Sequence, residues 1–371
     1  MTNAETGSMP DALPQGSIDT VIIGGGQAGL VTGYHLKQRG IDHVILDEND
    51  EVGTSWRNRW DSLRLFTPAG YSHLPGMEHS TSKHTLLTKD DVADYLVAYA
   101  EQFDLPVSTG VPVDRVAADH GRYVIESGGE RMWANNVVVA TGAFHTPRVP
   151  GFADDLDPNI VQLHSSEYRR PSQIKDGSVL VVGAGQSGVE IALDLCDDHD
   201  VWLSGRNPGG PPFRRDSPIL RIMEPIGWFM VSRVINVTNP IGRKVRHKFL
   251  NPPRGIPRGP GATAELNDSS VVQVERTAGT KEGAPQLEDG TVLDISNVVW
   301  STGFVAAYDW IDLPVCGEYG YPIHDRGVVE SQPGFYFMGL PFQRTLSSAL
   351  IGGMGRDAEH VAAHIHNRRL S

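Results

Sequence analysis

Gly24-Gly25-Gly26-Gln27-Ala28-Gly29 and Gly183-Ala184-Gly185-Gln186-Ser187-Gly188 repeat one GxGxxG phrase 159 residues apart in a chain of 371. Each phrase follows an apolar run, residues 20–23 or 178–182, and opens a helix-forming stretch, 27–39 or 187–196. A second apolar run comes after each helix, at 43–46 and 200–203. In a strand, glycine turn, helix unit the first glycine makes the tight turn, the second lets the backbone approach a pyrophosphate, and the third lets helix and strand pack closely. The helix N-terminus then faces the phosphates. The spacing is too long for a solenoid repeat and suits two separate units. The expected fold class is α/β, with two Rossmann-like dinucleotide-binding domains.

Residues 137–142 and 298–303 each run from an apolar strand into a threonine and a glycine, Thr141-Gly142 and Thr302-Gly303, and are read as the two crossings between the domains. The Pro-containing stretch 146–151 is the outward linker. The second domain is therefore expected as an insertion: a flexible N-terminus at 1–17, one domain from 18–147 and 303–371, and the other at 148–302. A Pro- and Arg-rich excursion at 207–264 does not read as nucleotide fold. Between 206 and 258 there are 11 Lys or Arg against two acids, Asp216 and Glu224. Two readings stay open for it, a cover over the mouth of the site or a basic surface touching anionic lipid.

Asp47 ends the second strand of the first unit, 18 residues past Gly29, where a carboxylate can accept hydrogen bonds from both ribose hydroxyls. That acid suits the unphosphorylated adenosine ribose of FAD, and the segment 53–57, with Trp56 and Arg57, could border the flavin. The second unit ends at Ser204 instead, and Arg206, 18 residues past Gly188, offers a guanidinium that can grip a 2′-phosphate in a fork. This selects NADPH. Two such sites in one chain imply electron transfer between their ligands.

The net charge of −13 disfavours a nucleic-acid partner. Cys196 and Cys316 are the two cysteines and form no CxxC pair, so a flavin disulfide reductase, which needs a cysteine pair beside the flavin, is disfavoured. No signal pattern and no run of membrane-spanning length is present, and a cytoplasmic enzyme is expected. No metal site is assigned. A homodimer and membrane-surface contact through 206–258 stay open.

Residues 21–60, 164–171, 183–190 and 299–304, with the closing stretches 334–344 and 355–358, resemble the class B flavin-containing monooxygenases, and the end of the chain is similar to the YUCCA-type enzymes and their bacterial relatives. The family fingerprint FxGxxxHxxxW matches here only at His164, with Pro158, Ile160 and Tyr168 at its other places. No Asn stands in the segment 65–68, where the flavin-side Asn of the N-oxidising members would fall.

The resemblance places Gly24, Gly26, Gly29, Asp47, Trp56, Met338 and Gly339 near FAD, and Gln27, Ala28, Arg57 and Thr141 are expected to bind cofactor beside them. Gly183, Gly185, Gln186, Ser187, Gly188, Ser204, Arg206 and Thr302 fall near NADPH. His164, Arg64 and Arg344 are the catalytic candidates. His35 reads as structural, and Arg57, Arg59 and Arg64 as a basic group for either phosphate or salt bridges. The resemblance implies that NADPH reduces the flavin and that O2 then gives a flavin hydroperoxide, which oxygenates a small molecule at N or S or oxidises a carbonyl compound. The alternatives are an NADPH oxidase or reductase without oxygenation, and a redox-sensing flavoprotein without turnover.

Overall fold

A computed structural model describes residues 13, 16–142, 146–210, 214, 217–250, 258–317 and 320–370. All but three residues of the expected N-terminal arm, and residues 143–145 at the first crossing, lie outside the described residues. The apolar run at 20–23 belongs to the strand Ser17–Ile23, which pairs in parallel on both sides, Val21 with Val44 and with Val137. A central parallel strand is covered on both faces, which is why its residues read as a continuous apolar run. The following helix, Gln27–Lys37, stops two residues short of the expected end, and Gly40 at φ 63° turns the chain back.

Among the described residues an eight-stranded sheet runs in the order Ile311–Asp312, Arg115–Asp119, Arg122–Ser127, Glu130–Val139, Ser17–Ile23, His43–Leu46, Val107–Ser108, with Phe335–Phe337 also paired to Glu130–Val139. A five-stranded, all-parallel sheet has the order Val272–Val274, Val201–Ser204, Val179–Val182, Asn297–Trp300, Val161–His164. The fold is mixed α/β with two Rossmann-like units. Between the sheets, Thr146–Pro147 and Phe304–Val305 pair antiparallel. The Arg148 amide donates to the Gly303 carbonyl at 2.9 Å, and the Thr302 hydroxyl to the Arg148 carbonyl. The chain's outward and return passages thus lie side by side.

The helix Lys89–Gln102 went unread in the sequence although it carries a capping box. The Thr88 hydroxyl accepts from the Asp91 amide at 3.0 Å, and the Asp91 carboxylate accepts from the Thr88 amide at 2.8 Å. Those bonds hold the Asp91 carboxyl below its ordinary range. This helix packs against the first helix through Tyr34, Tyr99 and Phe103, with ring centroids 4.7–5.9 Å apart. The C-terminal helix Gly355–Leu370 covers the first helix as well. His35, on the first helix, faces the C-terminal helix at Gly355 and Glu359, its pKa lowered to about 4 by burial and by Arg39.

The excursion is helical. Pro218–Phe229 continues through a π-turn at Met230–Val234, and a second helix follows at Pro240–Leu250. Its inner side lies on the closing segment of the chain: Val237 donates to the Arg344 carbonyl at 2.8 Å, Leu346 to Ile235 at 3.3 Å and Ser347 to Val231 at 3.3 Å. Trp228 stacks on Tyr71 with centroids 5.3 Å apart.

That closing segment is rich in buried polar groups, Gln343, Thr345, Ser347, Ser348 and Asp357, each 5% exposed or less. Asp357 opens the C-terminal helix, and its Oδ2 has no partner among the described residues. Burial pushes its pKa up to about 7, against the opposing pull of Ser348, Arg344 and Arg326. A carboxyl raised in the folded state contributes stability that is full below about pH 4 and is lost as pH rises through about 7. Asp357→Asn should therefore change stability little near pH 4 and raise it at pH 8, by up to roughly 4 kcal/mol. Urea midpoints of both proteins at the two pH values measure this, and parallel pH profiles would exclude it.

Candidate functional site

The two glycine turns are built alike. Gly24 has φ 107° and Gly183 φ 115°, and a Cβ on either would meet the backbone of the crossing strand, Ala140 O at 2.7 Å or Ser301 O at 2.2 Å. A Cβ on Gly29 would stand 1.9 Å from Gly24 O, and one on Gly188 1.7 Å from Gly183 O. These four glycines are required by backbone packing. Gly26 differs, since its missing Cβ would meet no described atom within 4 Å. Gly26 and Gly185 are the N-caps of the two helices; no side chain caps either, and neither first turn holds an acid. Each helix therefore presents uncompensated N–H groups and the positive end of its dipole, an arrangement that accepts an anion.

Around the first turn, Asp47 is 8% exposed and holds the loop together. Its Oδ2 accepts from the Gly25 amide, and its Oδ1 from the Asn49 amide at 2.8 Å and the Asn49 side chain at 2.7 Å. Three of the roughly four acceptor positions of a carboxylate are thus taken within the chain. The Trp56 indole donates to Gln27 Oε1 at 3.0 Å, which ties the segment after the second strand to the helix start. Met338 is fully buried and donates its amide to the Val139 carbonyl at 2.8 Å; Gly339, at φ 79°, lies where a Cβ would approach the Ala28 methyl to 2.9 Å. Thr141 Oγ1 is buried beside this turn with no partner among the described residues. Arg57 turns away, pairing with Asp94 at 2.7 Å and Asp90 at 4.0 Å, so of its two readings the salt bridge is the one formed.

Around the second turn, the end of the excursion folds over the glycines. Arg258, 3% exposed, donates through Nε to the Ala184 carbonyl at 3.0 Å, and its Nη1 is buried with no partner among the described residues. The Gly259 amide donates to Gln186 Oε1 at 2.5 Å, and a Cβ on Gly259 would press to 2.6 Å on the Phe66 side chain. The two units touch here. Ser187 and Gly188 lie in the first turn of the helix Gln186–Leu195.

Ser204 is wholly buried, with its hydroxyl 2.9 Å from the Glu275 carbonyl, 2.7 Å from Thr277 Oγ1 and 2.8 Å from the Thr277 amide. Its side chain is spent on the sheet edge. Arg206 projects outward, 82% exposed, with Nη2 4.0 Å from Glu288, and Arg276 approaches the same carboxylate at 3.5 Å. The hydroxyl of Thr302 is engaged with Arg148 at the crossing. Sequence reasoning missed Arg258 and Arg276. An arginine among prolines and glycines gives no signal, and Arg276 comes into range only through the pairing of Ser204 with Val274.

His164, Arg64 and Arg344 are not brought together by any hydrogen bond or ion pair among the described residues. His164 is 3% exposed, with Nδ1 2.8 Å from Ser166 Oγ and Nε2 3.0 Å from the Gly303 carbonyl, and its ring lies edge-on to Phe304. Burial lowers its pKa, and both nitrogens are used, so His164 braces the crossing. Arg64 is exposed and forms a backbone bridge to Thr88. Arg344 lies in the closing segment next to the buried Asp357. Tyr168, standing where the fingerprint has Trp, is fully buried and donates to Asp194 at 2.6 Å. Arg59, its pKa lowered by burial and by Arg169 beside it, makes no ion pair among the described residues.

The model of the pyridine nucleotide-disulphide oxidoreductase family matches residues 21–214. The "Uncharacterized oxidoreductase CzcO-like" of Geobacillus kaustophilus is 38% identical over 356 residues, covering 94% of this chain and 99% of that protein. The indole-3-pyruvate monooxygenase YUCCA1 of rice is 36% identical over 180 residues, 47% of this chain and 44% of its own. Among solved structures, a flavin-containing monooxygenase from Stenotrophomonas maltophilia superposes with a TM-score of 0.77 at 25% identity, covering 96% of this chain and all of that one. Two glycine turns of one design, in units that touch at Phe66 and Gly259, and relatives matched along nearly the whole chain lead to one conclusion: this chain belongs to the pyridine nucleotide-disulphide oxidoreductase family and is a class B flavin-containing monooxygenase by likeness.

Proposed function

We propose that the chain binds FAD at the first glycine turn and NADPH at the second, and inserts one atom of O2 into a small organic substrate. On this reading residues 18–147 and 303–371 form the FAD domain and 148–302 the inserted NADPH domain. The observation that carries it is the pair of open, uncapped helix N-termini in a chain with no cysteine pair to pass electrons to. Cys196 caps the far end of the helix that begins at the second turn, and Cys316 is exposed.

Bound flavin supplies two-electron and oxygen chemistry that no side chain carries. The residues fit the groups the family implies. Gly26 leaves room for a pyrophosphate at the first turn, and the orphaned Arg258 Nη1 and the second helix start offer donors for one at the other. Asp47 keeps one acceptor position for a ribose hydroxyl. Trp56 and Gln27 brace the helix start. Arg206 and Arg276 would share a 2′-phosphate, releasing Glu288. The segments 340–348 and 231–237, joined by backbone hydrogen bonds, would form a roof that excludes water, which oxygen transfer requires.

Three outcomes are expected. Gly26→Leu should fold with an unchanged melting temperature when flavin-free and yet purify colourless. Gly29→Ala should itself lose about 2–3 kcal/mol of stability, because its Cβ collides with Gly24 O. Full flavin absorbance in folded Gly26→Leu would refute the site.

For the coenzyme, Arg206→Ala and Arg276→Ala should each raise the KM for NADPH, roughly tenfold for an exposed charge-assisted contact, and leave that for NADH within about twofold. Equal wild-type kinetics with both coenzymes would contradict this.

For the reaction, NADPH oxidation under 18O2 with a panel of amines, sulfides and ketones should give a product one labelled oxygen heavier. Hydrogen peroxide accounting for all NADPH consumed would make the protein an oxidase instead.

A further inference from the structure

The helix Pro218–Phe229 is amphipathic in the reverse sense to a surface helix. Its inner side carries Trp228, stacked on Tyr71, and the segment's one acid, Glu224, 17% exposed and 3.9 Å from the His84 ring. Ile219, Ile222, Met223, Ile226, Phe229 and Met230 recur at intervals of three and four residues along the other side and are 41–72% exposed. A single exposed apolar residue is ordinary, but a continuous stripe of six along one helix marks a contact surface. With the π-turn the element is 17 residues long, about 25 Å at 1.5 Å per residue. Ile241, at the start of the next helix, adds a further side chain at 69% exposure.

The charge around this stripe opposes that of the molecule. Residues 217–250 hold six Lys or Arg and one acid in a chain of net charge −13. Arg221, Arg233, Arg243, Lys244 and Lys248 are exposed and make no ion pair among the described residues. Long basic side chains beside an apolar stripe are the composition of a helix that lies in the plane of a lipid surface, with the cations reaching the headgroups. Among the described residues no helix is long and apolar enough to cross a membrane, so the contact would be interfacial.

We propose that this face docks on an anionic lipid bilayer, with the stripe from Ile219 to Met230 lying at the boundary between headgroups and acyl chains. The charges argue against a second copy of the chain. A two-fold contact through this patch would set its unpaired cations against their own copies. The remaining surface of so acidic a protein is repelled by anionic headgroups, which leaves this face as the one that can approach within a Debye length of about 8 Å. The inner side of the same element ties to 344–347, so docking would place the roof of the proposed active site against the lipid. This goes beyond the oxidation chemistry and does not depend on it.

The test is flotation of the purified full-length protein with phosphatidylcholine vesicles containing or lacking phosphatidylglycerol. The wild type should float with the anionic vesicles, and its bound fraction should fall at least tenfold on phosphatidylcholine alone and on raising the salt to about 1 M, where the Debye length is about 3 Å. Ile222→Asp/Ile226→Asp/Phe229→Asp should remain at the bottom with both vesicles and keep the wild-type melting temperature, since these side chains are already exposed. Arg233→Gln/Arg243→Gln/Lys244→Gln/Lys248→Gln should lose anionic binding with its apolar stripe intact, which keeps the test independent of any folding defect in the first variant. Wild type that floats with neither vesicle overturns the proposal. So does a concentration-dependent dimer that Ile222→Asp disperses while neither form binds lipid, because the face would then belong to a second copy.

Discussion

The structure depends on two close backbone approaches. At Gly24 and Gly183 the crossing strand passes so near that a methyl group in place of the glycine hydrogen would overlap a carbonyl. The strand that ends the first unit must lie directly beside the strand that begins it, with Val21 level with Val137 and Val181 level with Val299. The C-terminal ends of four strands therefore meet at two glycine turns. From there the chain has to leave one sheet and enter the other through the same gap, which Thr146–Pro147, Phe304–Val305 and Arg148 close by pairing. His164 belongs to this hinge, bonded to Gly303 and edge-on to Phe304.

Electrostatics follows from the same geometry. Helix starts without caps or acids favour an anion, and at the second of them the chain places cations: Arg258 over the turn, and Arg206 and Arg276 just past the C-terminal ends of the neighbouring parallel strands. Arg258 is held by one hydrogen bond and the burial that lowers its pKa, with a buried nitrogen left over. A cation kept in that state costs stability unless a ligand completes it. In a protein of net charge −13, such local concentrations of positive charge mark the places that receive negatively charged partners.

Both dinucleotide units were legible in the sequence because each compresses turn, pyrophosphate approach and helix packing into six residues. The strands that lead into Thr141 and Thr302 were legible for a related reason, as a fully buried parallel strand must run apolar up to the turn. Arg258 and Arg276 were not, since their place is set by sheet pairing and by the return of a 50-residue excursion. Ser204 and Asp47 were found at the right strand ends, but their side-chain partners, Thr277 and Asn49, depend on loops whose course no local pattern encodes. His164 was visible as the surviving fingerprint residue, while its second nitrogen's bond to Gly303 spans 139 residues. The helix at 89–102 shows the reverse case, a local capping signal that was present and unread.

The excursion joins these threads, because its two sides differ in what they meet. Inward, Trp228, Val231, Ile235 and Val237 are bound to Tyr71 and to 344–347, so the roof over the proposed site is held by the excursion. Outward, the large apolar side chains forgo the roughly 1.5–3 kcal/mol that burying each would return. Folding alone would favour the opposite orientation of the helix, with the isoleucines inside and the tryptophan edge and Glu224 in water. Only inward contacts stronger than that loss, or an apolar medium on the outside, can hold the helix this way round. The inward contacts among the described residues include one aromatic stack, the approach of Glu224 to the His84 ring at 3.9 Å, and three backbone hydrogen bonds from the turn that follows. On the proposed docking, a medium that takes up the outer face would also stabilise the segment 344–347 bound to the inner one.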